Sequence, residues 1–331
     1  MTIPICPVCT SRGDHQLVHT HNSDAAANNF FKYAGAQNTT KLREHIEELW
    51  GSEECQILRC RECLSRFAHP HIAGDSRFYE LANPEAKYPE ERWEFALTSK
   101  RTADVLKSGG RLLEIGGGSG FFVKQVLDLG TPSTTITVLE YSADGRVELE
   151  HLGVRVEETD FRSEVAGGPF RVLVMFQTLE HLDRLDNAVE ALSRLATNGS
   201  ELFISVPNVA WIDWQEKYWG MLDMPPNHVT GFSSQGLRRL FDRSNWKVVS
   251  LEFQPPKPII ERAKDHSMRR ISIPESTLET LFSRIAGINR PKPSSIRVKI
   301  GAGFALIFNF SWIRKIPSEN ILLHLNWESI D

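Results

Sequence analysis

The chain has no run approaching the roughly eighteen consecutive apolar residues that a membrane-spanning helix needs, so no transmembrane segment is expected. Its longest apolar stretch near the end, Ala302 to Phe310, is too short to cross a bilayer and reads as a buried strand. The first residues lack a basic region followed by an apolar core, the mark of a secretory signal, and the expected compartment is the cytoplasm. A basic excess is missing as well. With 38 Lys and Arg against 42 Asp and Glu, the net charge is −4, whereas proteins that wrap phosphates carry a basic excess or stripe. Nucleic acid is therefore disfavoured as a partner. Cysteines number only five, and four of them fall into two close pairs. The 41% hydrophobic and 24% charged composition is ordinary for a globular protein, and 331 residues suffice for one full α/β domain with a small accessory unit.

What is present is concentrated in Arg111-Leu112-Leu113-Glu114-Ile115-Gly116-Gly117-Gly118-Ser119-Gly120-Phe121-Phe122, an apolar strand ending in an acid and a glycine-dense turn. Glycines are required where the backbone adopts positive φ or approaches a ligand more closely than a Cβ permits. Helical periodicity follows over Phe121 to Leu129, making the unit strand, turn, helix. A dinucleotide fingerprint wants Gly-x-Gly-x-x-Gly; Gly116 and Gly118 fit, but the third position falls on Phe121 and Gly120 comes one place too early. The pattern present, Glu114, Gly116, Gly118, Gly120, resembles the first motif of class I S-adenosyl-L-methionine (SAM) methyltransferases.

Later strands supply matching features. Thr135 to Leu139 is a β-branched run ending at Glu140, whose carboxylate at a strand end suits a pair of ribose hydroxyls. Val154 to Glu157 is a short third strand followed by Asp160-Phe161. In the resembled family an acid and an apolar residue there hold the adenine amino group and pack the ring. Phe170 to Phe176 is a continuous apolar run, as expected of a strand covered on both faces, and it leads into Gln177-Thr178-Leu179-Glu180-His181. That segment resembles the family's motif after strand four, and Gln177 joins the expected cofactor contacts. A helix over Asp183 to Thr197, capped by Asn198-Gly199, and a fifth strand over Leu202 to Asn208 follow. The resemblance implies a Rossmann-like, seven-stranded sheet over about residues 81–254 that binds SAM.

The four paired cysteines form two Cys-x-x-Cys knuckles, Cys6/Cys9 and Cys60/Cys63, a donor set suited to tetrahedral zinc. The intervening fifty residues exceed the usual fifteen to twenty or so, which a helical insertion between Asn22 and Trp50 explains. With all four positions filled by protein, such a zinc would be structural. A zinc-binding segment over 1–80 ahead of this core resembles bacterial methyltransferases of nucleotide-linked sugars and glycan precursors. The resemblance implies a small-molecule acceptor, with Tyr79 and Tyr88 near the cleft.

The acceptor pocket of such a sheet lies outside the ends of strands four and five, which points to Gln177 to His181 and to the connection Pro207 to Thr230. His228, after Pro225-Pro226, is the leading general base, because imidazole titrates near working pH; His181 ranks second. Some methyltransferases use Glu-x-x-Glu-His here to bind a divalent ion, but Gln177 replaces the first glutamate. Past a helix starting at Ser233 and a strand over Trp246 to Phe253, residues 255–300 read as an inserted helical lid and Phe304 to Phe310 as the seventh strand, within a last segment spanning 301–331. Two further readings stand beside the sugar methyltransferase. One is a zinc-ribbon ribosomal RNA methyltransferase, and the other is a non-catalytic SAM-binding or zinc-dependent interaction protein. Nothing in the sequence defines the oligomeric state or the methylated atom.

Overall fold

The computed structural model describes residues 4–13, 15–34, 38–82, 89–219, 224–256 and 317–328. The chain divides into two compact units, one comprising Met1–Ile212, Asp223–Gln254 and Glu319–Asp331, the other Asp213–Leu222 and Pro255–Ser318. The account below concerns the first. Of the second, the described residues are mainly the later turns of one helix, on which Asp213 and Glu216 lie.

The N-terminal part runs β1 (Gln16–Asn22), α1 (Ser23–Ala34), α2 (Thr39–Trp50), β2 (Glu54–Arg59), β3 (Arg66–His69) and α3 (Ser76–Ala82). The two helices occupy the long gap between the cysteine pairs, where an insertion was expected. In α2, Leu42, Ile46 and Trp50 recur at four-residue spacing and are buried, and Gly51 closes the helix at φ 66°.

The core follows as α4 (Trp93–Lys107), β4 (Leu112–Ile115), α5 (Phe121–Asp128), β5 (Ile136–Leu139), α6 (Ala143–His151), β6 (Arg155–Glu157), β7 (Phe170–Phe176), α7 (Leu185–Leu195), β8 (Ala196–Pro207), α8 (Val209–Trp219), β9 (Thr230–Gly231), α9 (Ser234–Phe241), β10 (Trp246–Phe253) and β11 (Asn320–Trp327). Seven strands form one sheet in the order β10-β11-β8-β7-β4-β5-β6. β4 pairs in parallel with β5 and β7, whereas β11 is antiparallel to both neighbours. The chain builds outward from β4 to β6, then returns to lay β7 on the other side of β4. This reversal opens a crevice beyond the strand ends, the usual ligand position in a doubly wound sheet.

β7 shows why its sequence is apolar throughout. Phe170, Leu173 and Met175 enter the core on one face, Val172, Val174 and Phe176 the core on the other. Fully burying such a side chain contributes on the order of 1.5–3 kcal/mol. One of these cores also takes in Cys6, Val8, Cys60 and Cys63, together with Phe232, Leu237 and Leu240 around α9. The cysteine knuckles thus pack on the sheet's own core.

A second, four-stranded antiparallel sheet has the order β1-β2-β3-β9. Its last member comes from far along the chain: Arg66 opposes Gly231 and Phe67 opposes Thr230.

Two sequence expectations change. The helix expected to reach Thr197 stops at Leu195, and Asn198-Gly199 lie inside β8, where Gly199 has φ 73° and Arg171 donates to the Asn198 carbonyl at 2.6 Å. The seventh strand of the sheet is Asn320–Trp327, inserted between β10 and β8; Phe304 to Phe310 and the lid expected over 255–300 lie essentially outside the described residues. The connection from Pro207 to Thr230, left without assigned structure from sequence, begins with the helix α8.

Candidate functional site: the crevice at the strand ends

The glycine turn sits at the C-terminal end of β4. Gly116, Gly118 and Gly120 have φ of 81°, 52° and 75°, a region that side chains rarely adopt. Space is also short. A Cβ on Gly116 would lie 2.6 Å from Thr178 Oγ1, and one on Gly117 2.3 Å from a Val138 methyl. The turn is braced across the sheet by Glu140, whose carboxylate accepts from Gly118 N at 2.6 Å and Ser142 N at 2.7 Å. Ser142 in turn caps α6 by accepting from Gly145 N at 3.0 Å.

Glu114 is 2% exposed and its Oε2 has no partner among the described residues. Burial first, and the charge of Glu140 second, push its carboxyl well above the ordinary range. Burial also raises Glu140, against the two backbone N–H groups that favour its charged form. Two largely buried acids beside a glycine turn suit a ligand rich in hydroxyl or ammonium donors.

Asp160 lies past β6, as expected, but its carboxylate is gripped by Arg162 through Nε at 2.9 Å and Nη2 at 2.6 Å, and Arg162 reaches on to Asp183 at 3.2 Å. Burial pushes the Asp160 carboxyl up, and the Arg162 contacts outweigh it, leaving it below its usual value. Phe161 is 3% exposed and belongs to the core. Tyr141, which follows Glu140, is 59% exposed at the same edge. Arg162 was not singled out from sequence; a basic residue two places after the acid is the signal that was there to find.

At the end of β7, Gln177 adopts φ 52°, donates from its backbone to Ser205 O at 2.8 Å and from Nε2 to Ser205 Oγ at 3.2 Å. His181 follows in a short turn of helix. Its Nδ1 lies 2.8 Å from the Asn227 carbonyl and 3.1 Å from Tyr79 Oη. A carbonyl only accepts, so Nδ1 carries the proton and Nε2 the lone pair. Burial and then the neighbouring His228 bring His181 down to about 3, so this ring is neutral at working pH. His228 lies edge-on to it, with ring centroids 4.4 Å apart. Glu180, 1% exposed, completes the group: one donor atom from each of Glu180, His181 and His228 lies within 4.8 Å of the others. Residues 47 positions apart are therefore brought together, with Tyr79 joining from α3. Tyr88 lies outside the described residues.

The loop carrying His228 is stitched on both sides. Val229 N donates to Glu180 O and Ala68 N to Val229 O, both at 2.9 Å, while His71 Nε2 meets Thr230 Oγ1 at 2.8 Å. Just beyond, Ser233 Oγ bonds the Cys63 carbonyl and caps α9, and Ser65 Oγ accepts from Ser233 N at 3.1 Å.

The four cysteines converge as the spacing predicts. Cys6 and Cys63 sulfurs are 3.7 Å apart, Cys9 and Cys60 3.6 Å, and all four lie within 4.8 Å of one another as free thiols. Zinc–sulfur bonds of about 2.3 Å in a tetrahedron require sulfur separations near 3.8 Å, so the cage fits that ion. Ser11 Oγ, 3.1 Å from Cys60 Sγ, adds an outer hydrogen bond. Cys55, also buried, is not part of the group.

A glycine turn under two strand-end acids, on a doubly wound sheet with this strand order and an antiparallel β11, is an α/β fold with its ligand crevice at the strand ends. Residues 88–251 match the family model for a methyltransferase domain. Among solved structures, the chain is similar to a SAM-dependent methyltransferase from Archaeoglobus fulgidus, with 16% identity, 70% of this chain and 94% of that one covered, and a TM-score of 0.44. It is also similar to coclaurine N-methyltransferase bound to N-methylheliamine and SAH, with 13% identity, coverage of 92% and 93%, and a TM-score of 0.45. N-methyltransferase NodS from Bradyrhizobium japonicum is 10% identical over 73% of this chain and all of that one, at a TM-score of 0.39. No match was found among curated proteins. Residues 88–251 thus form a methyltransferase domain, and the protein is a SAM-dependent methyltransferase. No helix among the described residues is long and apolar enough to cross a membrane.

Proposed function

We propose that the protein transfers a methyl group to a small-molecule acceptor, a nucleotide-linked sugar or related glycan precursor, with His228 as the general base. The observation that carries this reading is the pairing of His181 and His228 beside the glycine turn, on a loop hydrogen-bonded to the cysteine-bearing sheet. The residues that hold the cofactor in this reading are Gly116, Gly118, Gly120, Glu114, Glu140, Asp160, Phe161 and Gln177. When bound, SAM supplies a methyl group on a sulfonium, a leaving group that needs no protonation. The protein must therefore align the acceptor atom and remove its proton. His228 takes that proton while the acceptor's electron pair forms the new bond to carbon. His181, neutral and fixed by Asn227 and Tyr79, offers its Nε2 lone pair to a substrate hydroxyl.

The cysteine cage holds a structural zinc in this proposal, and its fit to the expected sulfur spacing supports it. Its role is to fix β3 and the turn at Ser233, and through them the His228 loop. The net charge of −4 favours a small acceptor over ribosomal RNA, and the intact glycine turn and acids favour turnover over a purely binding role. The cytoplasm remains the proposed compartment.

One observation favours a second reading: Glu180, His181 and His228 are a carboxylate and two imidazoles close enough to share a divalent ion. His228 would then be a ligand and not a base. Turnover of SAM with a panel of nucleotide sugars, with and without chelator and added manganese or zinc, separates the two. Product with sugars that survives a weak chelator and vanishes in His228→Ala supports the base. Strict dependence on added metal supports the ion, and product with RNA alone sinks the sugar reading.

A further inference from the structure

The helices α1 and α2, which fill the gap between the cysteine pairs, carry none of the residues assigned to cofactor, metal or acceptor. Both nevertheless pack against α3, the short helix that brings Tyr79 to His181. Phe30 of α1 meets Phe78 edge-on, with ring centroids 5.3 Å apart, and Phe78 meets Tyr79 in the same way at 5.1 Å.

His45 of α2 supplies the polar half of that contact. Its side chain is 15% exposed, with Nε2 2.7 Å from Asp75 Oδ1 and Nδ1 3.1 Å from Glu48 Oε2. A carboxylate oxygen only accepts, so both ring nitrogens donate and the imidazole is held in its cationic form. Burial pushes this ring down, and the bonds to Asp75 and then Glu48 outweigh it, leaving it above its ordinary value. Glu48 belongs to α2 itself, whereas Asp75 lies 30 residues on, just ahead of α3. The bond to Asp75 therefore ties the insertion to α3, and hydrogen bonds between charged groups are the stronger kind.

Asp75 carries that hold in two directions. Its Oδ1 also accepts from Phe78 N at 2.8 Å and its carbonyl from Tyr79 N at 3.1 Å, which closes the first turn of α3. Its neighbour Gly74 donates to the Pro226 carbonyl at 2.8 Å, one residue before Asn227 and two before His228. A Cβ on Gly74 would strike the Phe78 ring, so the turn and the helix sit in direct contact. Both groups that fix the His181 ring, Tyr79 Oη and Asn227 O, thus trace back to Gly74-Asp75. None of these bonds joins His45 to His181 directly.

We infer that His45 is a positioning residue for the acceptor site: by clamping Asp75 it sets α3 and the turn from Pro226 to His228, and through them the orientation of His181. The inference rests on the reading of His181 and His228 as the acceptor end of the crevice, and it gives the inserted helices a part in that end.

The test reads His181 itself, with no acceptor present, from nitrogen NMR spectra of full-length protein isotopically labelled at its 11 histidines. The His181 ring is assigned by its loss in His181→Gln. Tyr79→Phe removes the hydroxyl beside Nδ1 and gives a reference displacement. His45→Ala should displace the His181 ring signals in the same direction, and the double variant should fall short of the sum, since both changes act through one contact. His45→Gln, which keeps one N–H for Asp75, should return most of the displacement. Glu48→Gln should cause none, because Glu48 is bonded to its own helix and holds nothing of α3. His181 signals unmoved by His45→Ala, or displacements that add in the double variant, overturn the inference. A displacement that Glu48→Gln reproduces in full overturns it too, because the effect then belongs to α2 alone. If His45→Ala does not fold, Asp75→Asn decides: it keeps a cap acceptor for Phe78 N and loses the charge, and an unmoved His181 in that variant is the contrary result. A panel in which no nucleotide sugar is methylated brings down the proposed acceptor, while the His181 spectra decide the role of His45 separately.

Discussion

The two ends of the crevice are built differently. At the end proposed to hold the nucleoside the chemistry is backbone and carboxylate within one or two βα units: Gly118 N and Ser142 N converge on Glu140, and all three lie within 25 residues. At the end proposed to take the acceptor, Tyr79, His181 and His228 come from three places in the chain, and the loop with His228 is held by hydrogen bonds to β3 and to Glu180. The first end is a property of a local motif. The second is a property of the assembly, and it depends on a small sheet whose other anchor is the cysteine cage.

That difference should be breakable one end at a time. The largest effect is expected from His228→Ala: about 10²- to 10⁴-fold in kcat with the cofactor Kd changed by less than about threefold, read by turnover and titration on the same preparation. A parallel loss of cofactor binding would mean that the two ends are not separable. Gly116→Val should do the reverse, since its φ of 81° and the Thr178 hydroxyl leave no place for a side chain. Cofactor affinity should fall by about 100-fold or more, while the cysteine cage keeps its metal.

Removing the cage comes next. Cys60→Ser, or stripping the metal, is expected to lower kcat by about tenfold or more while weakening the cofactor by at most a few fold, because Cys63 O, Ser65 and Ser233 tie the cage to the turn beyond His228. Zinc at less than about half an equivalent in purified protein contradicts the four-cysteine site. Tyr79→Phe should cost less, about two- to tenfold in kcat, since Asn227 O still orients His181. The smallest effect is on stability. His71 is brought down to about 4 by burial, so its neutral form is favoured in the folded state. The unfolded chain then binds more protons between about pH 6.5 and 4. Stability from this group is complete above that window and is lost as pH falls through it, by at most about 3 kcal/mol; His71→Gln should flatten that part of the pH profile in denaturant titrations.

The sequence was most legible where function is local. Glu114, the three glycines, Glu140 and Asp160 could be placed because strand ends in a doubly wound sheet recur at βα spacing, and the cysteine knuckles because two thiolates three residues apart announce themselves. His228 could be named, but not its partner, since His181 lies 47 residues away. The Arg162 clasp on Asp160 competes for a carboxylate assigned to adenine alone. The misplaced end of α7 has a similar cause. Asn198-Gly199 reads locally as a helix cap, but β8 pairs with β7 on either side of it, at Ala196 and from Glu201, and tertiary pairing overrides the local signal. The seventh strand was sought in the most apolar run, whereas Asn320–Trp327 alternates in burial only partly and carries His324 stacked on Phe203 and paired with Glu201.

The most direct test of the account is titration of the full-length protein with S-adenosylmethionine, alongside Glu140→Ala. The account predicts one molecule bound per chain by the wild type and a loss of roughly 100-fold or more when the carboxylate that braces Gly118 is removed. Absence of binding to the wild-type chain, or binding that Glu140→Ala leaves unchanged, would contradict it.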